Sequence, residues 1–418
     1  MSSSDKKLTD GENGSLKKGK KKQKGEDAWR PEGPRDPFAM LDALPETKQQ
    51  EIQRALHLFS LGHSLPKTLQ QAKRHTYRFW DTQPVPKLDE SITEHGPIAE
   101  SGTGVRDEPY SLPQGFSWDN LDLSSPPVLR ELCSFLNESY MEEDDNSVRF
   151  DFRPEYLQCE KQVVQVKFLC VHKKLRLKRM TPVLIRELTR RVNQRGIHQA
   201  VYTAGTVLPT PLSSSSQWHR PLNPRKLMEV NYPGLRQNVT LQRALKFNRL
   251  PEVTKVRGLR PMAKEDVALI HTLLQKNLCN FHLSPILSLQ EVEHWLLPRE
   301  HLIDTYVVEA DDGALTDVVS FYSISSRVLN HPVHAGLRAA HLLYIACTAT
   351  EMGELMEDTL ILAKSKGFDI FSALDVMDNR NFLDRLKFTV SDRSVHYYLY
   401  NWMCPPMSPD KVGLLIPN

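Results

Sequence analysis

The stretch from Val163 to Arg191 constrains this chain more than any other. It opens on an apolar, β-branched run, Val163-Val164-Gln165-Val166-Lys167-Phe168-Leu169-Cys170-Val171, and passes straight into the basic turn Lys173-Lys174-Leu175-Arg176-Leu177-Lys178-Arg179. Such a run reads as a buried strand, because branched side chains pack well on a pleated surface. Thr181 before Pro182 marks a helix start, since proline has no amide hydrogen to lose at the first helical position. Leu184, Ile185, Leu188 and Val192 recur at helical spacing, and Gly196 is able to take the left-handed conformation that ends a helix. A strand that delivers cations to a helix N-terminus builds an anion site. Amides from Met180 to Val183 would point at whatever Arg176, Lys178 and Arg179 attract, and a pyrophosphate suits both features. The plainer reading, a buried strand feeding a helix with a solvated basic face, accounts for the same pattern.

With 418 residues the chain is long enough for two or three domains and a large core. Its net charge is only +3, which argues against nucleic-acid binding as a main role and excludes DNA as an expected partner. Cys133, Cys159, Cys170, Cys279, Cys347 and Cys404 are scattered without a Cys-x-x-Cys pair, so neither a disulfide framework nor a metal site is expected, and a reducing, cytoplasmic compartment is. No apolar run reaches the length of a membrane span. Residues 1–36 are rich in Ser, Gly and Lys and are expected to be disordered. Their polybasic block from Lys17 to Lys24 suits ribosomal RNA or an anionic membrane surface, or serves as a solubilising tail.

Further along, Ile52, Leu56 and Phe59 predict a short amphipathic helix, and Tyr77 to Lys87, with two prolines, predicts an extended arm whose aromatics need a surface. Ser125-Pro126 opens a helix with Leu129, Leu132, Phe135 and Leu136 as its buried stripe. The acidic run Glu142 to Asp145 reads as a solvated loop. Ile197 to Gly205 predicts the next strand, parallel to the first across the intervening helix. A Pro- and charge-rich stretch, Arg249 to Arg257, marks a boundary. Beyond it come a strand at Gly258 to Met262, a helix on Val267, Ile270, Leu273 and Leu274, and a hairpin about Asp311-Asp312-Gly313. A helix closed by Gly367 and a strand at Ile370 to Leu374 follow. The same order of elements recurs in both halves, so a mixed α/β protein built from a degenerate repeat is expected.

A strand that splays to expose amides before a phosphate-binding turn and helix resembles the GNAT-type acyltransferases. Phe168-Leu169-Cys170-Val171-His172-Lys173-Lys174-Leu175-Arg176 more closely resembles the signature of the eukaryotic glycylpeptide N-myristoyltransferases. Tyr77 to Lys87, Trp218 to Leu227 and Tyr397 to Trp402 match the same family. The resemblance implies an α/β fold (α+β mixed sheet) of two pseudo-symmetric GNAT-type halves in one saddle-shaped molecule. An arm and acyl-CoA-binding half span 37–256, and a peptide-binding half spans 257–418. It implies transfer of a myristoyl group from myristoyl-CoA, a co-substrate with no permanently bound cofactor, to the N-terminal glycine of peptides and nascent proteins. The backbone amides of Phe168 and Leu169 would hold the thioester oxygen, and the terminal carboxylate, here on Asn418, would act as base. Arg78, Phe79, Trp80, Cys170, Val171, Arg176, Leu177, Arg179, Met180 and Thr181 would join Phe168 and Leu169 in binding acyl-CoA. Tyr140, Asp144, Phe150, Phe152, Thr203, Gly205, His219 and Asp392 would line the peptide groove, with His219 a contact and not a general base. The family's lysine-rich tail is associated with ribosome targeting, which favours RNA for Lys17 to Lys24. Cys170 has no candidate base at fixed spacing, so covalent catalysis is not expected.

The chain departs from the family pattern at several points. After Tyr156-Leu157 the family continues into two sheet strands, whereas this chain passes through Gln158-Cys159-Glu160-Lys161 into the next strand. Two strands and a turn need roughly 10 to 15 residues, so the first half is expected to be incomplete. Thr389, Ser391 and Arg393 replace three glycines of a second signature, Lys167 and Leu177 replace Asn and Ser, and the chain ends one residue late, on Pro417-Asn418. An active transferase and a shortened, non-catalytic binder of acyl-CoA, peptide or ribosome are therefore both carried forward.

Overall fold

The computed structural model describes residues 66–99, 105–139, 148–151 (backbone only), 164–172, 180–232, 239–329 and 331–416. In chain order the elements are α1 (Leu69–Ala72), α2 (Pro126–Ser139), β1 (Val148–Asp151), β2 (Gln165–Val166), α3 (Met180–Asn193), β3 (Ala200–Ala204), β4 (Ser213–Pro221), α4 (Pro224–Glu229) and α5 (Leu241–Phe247). The remainder are β5 (Leu259–Pro261), α6 (Val267–Leu278), α7 (Leu289–Leu296), β6 (Ile303–Glu309), β7 (Leu315–Val328), β8 (Gly336–Cys347), α8 (Met352–Ser365), β9 (Ile370–Leu374), α9 (Arg380–Leu383) and β10 (Thr389–Tyr400). The expected helix at Ile52 to Phe59 and the expected disorder of 1–36 lie outside the described residues.

One mixed sheet runs β2-β3-β10-β4-β9-β8-β7-β6-β5, and β1 pairs with the far end of β7. Its symmetry is visible in the pairing. β2/β3 and β8/β9 are the two parallel pairs, each with a helix between its strands in sequence, α3 and α8. Between them lie β10 and β4, antiparallel to each other and to their outer neighbours. Each repeat thus sends its last strand into the other: β4 follows β3 in sequence but pairs with β9, and β10 follows β9 but pairs with β3. This exchange welds Ser64–Asn418 into one compact unit. Three strands continue beyond β8, whereas among the described residues the sheet ends at β2. The expected missing strands concern residues 152–163, outside those described.

Alternation along the strands sorts the core into two faces. Tyr306, Val319, Phe321 and Phe371 pack under α8 with Leu355, Met356 and Leu360. Val307, Val318 and Leu343 face α6 and α7 through Ile270, Leu274 and Trp295, together with Val412 from the chain end. The hairpin turn and the α8 C-terminus rest on Gly313 (φ +81°) and Gly367 (φ +78°), conformations that glycine adopts without a Cβ clash.

Two local expectations are corrected. Residues Trp80–Thr82 form a 3₁₀ turn inside the arm, which is therefore not extended throughout. Helix α3 already includes Thr181, so that residue does not flank it, although Gly196 takes the left-handed stop (φ +75°). Nor is the predicted stripe of α3 its buried face: Leu188 is 38% exposed, while Met180, Glu187 and Arg190 are buried. Glu187 accepts from Arg190 (2.7 and 2.9 Å), from Arg191 (2.8 Å) and from the Tyr110 amide (3.1 Å), and Arg190 donates to the Asp107 carbonyl (2.9 Å). A polar network, which apolar periodicity does not register, fastens α3 to the 105–120 connector.

Candidate active site

The backbone leaves regular strand geometry in the loop after β2. Pairing with β3 covers only Gln165 and Val166, opposite Val201 and Tyr202. Two residues later Phe168 adopts φ +54°, a conformation costing an L-residue roughly 1–2 kcal/mol, which turns the chain out of the ladder. Phe168 and Cys170 pack on Leu129, Cys133 and Leu136 of α2, and the His172 ring stacks on Phe135 at 6.4 Å. Leu169, between them, is 41% exposed. Cys170 and Val171 are half-buried, as is Thr181, and Met180 is buried at the start of α3. Arg176, Leu177 and Arg179 lie outside the described residues, as do Tyr140, Asp144 and Phe152. Of Phe150 only the backbone is described, opposite Ser326 of β7.

The arm lies against β3 and β10. Trp80 stacks on Tyr202 (5.9 Å, 9° between planes), which stacks on Tyr398 (5.1 Å). Tyr77 donates to the Val207 carbonyl (2.7 Å), and Tyr400 to Gln83 Oε1 (3.0 Å). Phe79 meets Trp80 edge-on (5.4 Å) and receives the Arg186 guanidinium of α3 over its face (5.7 Å), while Arg78 is exposed. Two predicted acyl-CoA segments, the arm and α3, are thereby brought together.

On the other side of β10, Thr203 pairs with Tyr397, and Gly205 lies beside the Ser394 carbonyl. His219 is buried with Nδ1 2.8 Å from Ser372 Oγ; burial, then the nearby His341 and Arg393, push its imidazole down to about 3. Burial and Arg393 hold His341 down to about 4, and its ring stacks on Tyr322 at 5.2 Å. Both imidazoles are therefore neutral near pH 7. Asp392 is exposed and accepts from Ser391 Oγ at 3.4 Å. The segment where the family has glycines stays in β10 with a register shift between Val390 and Ser394, and the charge of Arg393 lowers both imidazoles.

The chain end folds into the same region. Val412 bridges to Leu283, the Gly413 amide donates to the Leu283 carbonyl (2.7 Å), and a Cβ on Gly413 would meet Phe281 at 2.8 Å. Leu414 and Leu415 pack into the cluster of Tyr344, Tyr397 and Trp295, and the Leu415 backbone faces the Tyr344 phenol, which burial pushes up to about 12. The Tyr397 hydroxyl is buried without a hydrogen-bond partner. Pro417 and Asn418 lie outside the described residues.

Sequence reasoning missed His341, Tyr322, Arg393, Tyr344 and Tyr397 as site residues. Tyr322 and His341 are direct cross-strand partners, a pairing unreadable until strand register is known. Among the described residues no group of His, Cys, Asp or Glu is placed to hold a metal.

The fold and these sequences have close counterparts. Residues 229–414 match the family model of the myristoyl-CoA:protein N-myristoyltransferase C-terminal domain, and residues 97–162 and 157–215 match that of its N-terminal domain. Glycylpeptide N-tetradecanoyltransferase 2 of Danio rerio is 51% identical over 413 residues, covering 90% of this chain and 84% of its own length. The Bos taurus protein of the same name is 49% identical, with 89% and 83% covered. A crystal structure of Saccharomyces cerevisiae N-myristoyltransferase with bound myristoyl-CoA superposes with a TM-score of 0.77 at 34% identity, covering 81% of this chain and 94% of that one.

Proposed function

The chain belongs to the myristoyl-CoA:protein N-myristoyltransferase family, and from that premise we propose that it transfers the myristoyl group of myristoyl-CoA to the amino group of an N-terminal glycine on a protein. The observation that carries the reading is the escape of the backbone from β2 at Val166 with Phe168 left-handed. A loop shaped this way suits two successive amides, Phe168 and Leu169, acting as donors to a thioester oxygen that gains negative charge; one such donor is worth roughly 3 kcal/mol. Arg78, Phe79, Trp80, Cys170, Val171, Met180 and Thr181, with Arg176, Leu177 and Arg179, would hold the coenzyme. Thr203, Gly205, His219 and Asp392, with Tyr140, Asp144, Phe150 and Phe152, would receive the peptide.

A free α-amino group titrates at about 7.7–8.0, so only a weak base is needed. The inward course of residues 412–416 supports the terminal carboxylate of Asn418 in that role. For Lys17 to Lys24 we favour ribosomal RNA, consistent with action on nascent chains in the cytoplasm. Salt-sensitive co-sedimentation with ribosomes, lost on replacing those lysines by Gln, tests this. The non-catalytic binder is not favoured, because the relatives matched over most of the chain are transferases by name. Incubation of the purified chain with myristoyl-CoA and a glycine-initiated peptide is expected to yield acylated peptide, and an alanine-initiated peptide none. Tight acyl-CoA binding without product would overturn the transferase reading.

A further inference from the structure

We propose that Arg220 and Trp218 hold a small monovalent anion, chloride or an ion of its size, on the α8 side of the sheet. Arg220 lies in β4 and is only 1% exposed. Its partner in β9 is Phe371, and Trp218 and Leu222, two residues to either side, share its face of the strand. Nη1 donates to Asn248 Oδ1 and to the Pro221 carbonyl (3.1 Å), tying β4 to the end of α5. Nε is buried with no acceptor among the described residues. The neighbouring indole repeats the pattern: Trp218 is 7% exposed, and its Nε1 is likewise buried without an acceptor. Two residues along a strand span roughly 7 Å, a spacing that one ion lying between the two side chains bridges.

The charges around Arg220 do not balance it. Burial alone lowers the guanidinium, to about 10, so it stays charged near neutral pH. On β9 and next to it, Asp369 pairs with Lys226 (2.7 Å), and Asp375 accepts from the Ser216 amide (2.6 Å) and from Arg380 (3.0 Å). Arg380 in turn lies over the Trp218 ring at 4.9 Å. On α8, Glu357 pairs with Lys255 (2.8 Å), and Asp358 accepts from the Lys255 and Val256 amides (2.8 and 2.7 Å), its other oxygen having no partner. None of these carboxylates forms an ion pair with Arg220 or shifts its titration. A buried cation is kept in proteins by a paired anion and by acceptors for its N–H groups, and here a bound ion supplies both.

The surroundings set its size and charge. The face is lined by Phe371, Leu222 and Leu250 of the apolar cluster, which offer no donor to the further oxygens of a phosphate. One cation and two convergent N–H groups suit a single charge on a compact ion. Access lies beside Trp218, whose partner in β10 is Val390, 58% exposed; pairing is then interrupted until Ser394.

The test melts the full chain while chloride is exchanged for gluconate at constant ionic strength, so that general screening is unchanged. Wild type is expected to gain about 2 °C in Tm for each tenfold rise in chloride above the dissociation constant. Trp218→Phe keeps the ring without its N–H and is expected to need more chloride for the same gain. Arg220→Met and Arg220→Gln are expected to lose the dependence. Bromide-soaked crystals of the wild type are expected to show an anomalous peak beside Arg220 Nε, a reading that does not depend on how well the Arg220 variants fold. Equal melting in chloride and gluconate overturns the proposal, and a bromide peak without that dependence marks an adventitious ion only. A chloride dependence that survives in folded Arg220→Met, or a response to phosphate alone, overturns it equally.

Discussion

Phe168 offers a test of whether the loop after β2, the proposed thioester-binding loop, is shaped by strain. Two changes separate the packing of its side chain from the conformation of its backbone. Phe168→Ala removes a half-buried ring from the Leu129, Cys133 and Leu136 cluster but keeps a Cβ at φ +54°. Fully buried Phe→Ala changes cost 3–5 kcal/mol, so a half-buried ring is worth about 2 kcal/mol. Phe168→Gly loses the same ring but also removes the Cβ clash of roughly 1–2 kcal/mol. Glycine's extra unfolded-state entropy takes back roughly 0.5–1 kcal/mol. The Gly variant is therefore expected to be more stable than the Ala variant by about 0.5–1 kcal/mol, the reverse of their order in a regular strand. Urea unfolding of the three proteins, followed by tryptophan fluorescence, reads this directly; with a slope of about 3 kcal/mol per molar, the Gly midpoint should lie about 0.2–0.3 M above the Ala midpoint. If Ala is as stable as Gly or more so, Phe168 is not held left-handed against its preference, and the account of the loop fails.

Acid should weaken the fold through His219 and His341. Their folded values, about 3 and about 4, lie below the ordinary 6.5, so both are neutral in either state above that pH. Below it the unfolded chain takes up protons first, and stability is lost as pH falls toward the folded values. His219 alone should cost about 2 kcal/mol between pH 6.5 and 4.5. Urea midpoints at those two pH values measure the loss, and His219→Gln, which keeps a polar partner for Ser372, should shrink it. Glu187→Gln should cost about 3 kcal/mol by leaving the cationic side of its network unbalanced, and amide exchange at Tyr110 should rise with it. Unchanged exchange there would show that the 105–120 connector is held by other contacts.

What the sequence by itself determined is local. The strand, helix and strand order of each repeat, the hairpin about Gly313, the helix stops at Gly196 and Gly367 and the aromatic β10 were all legible, because each rests on short-range periodicity or on a residue whose conformational range is special. The motif from Phe168 to Arg176 likewise pointed to the site. Tertiary structure alone decided which strands meet. Nothing in Ser213–Pro221 says that β4 will pair across the repeat with β9, because register and partner depend on surfaces assembled from distant segments. The same holds for the buried face of α3, set by a connector some 80 residues earlier that carries its own hydrogen-bond donor and acceptors. It holds for Phe168, whose left-handed backbone no aromatic residue signals and whose ring α2 secures. And it holds for the placing of Lys167 on Trp295, since a cation finds its aromatic face only when the fold has brought the two together.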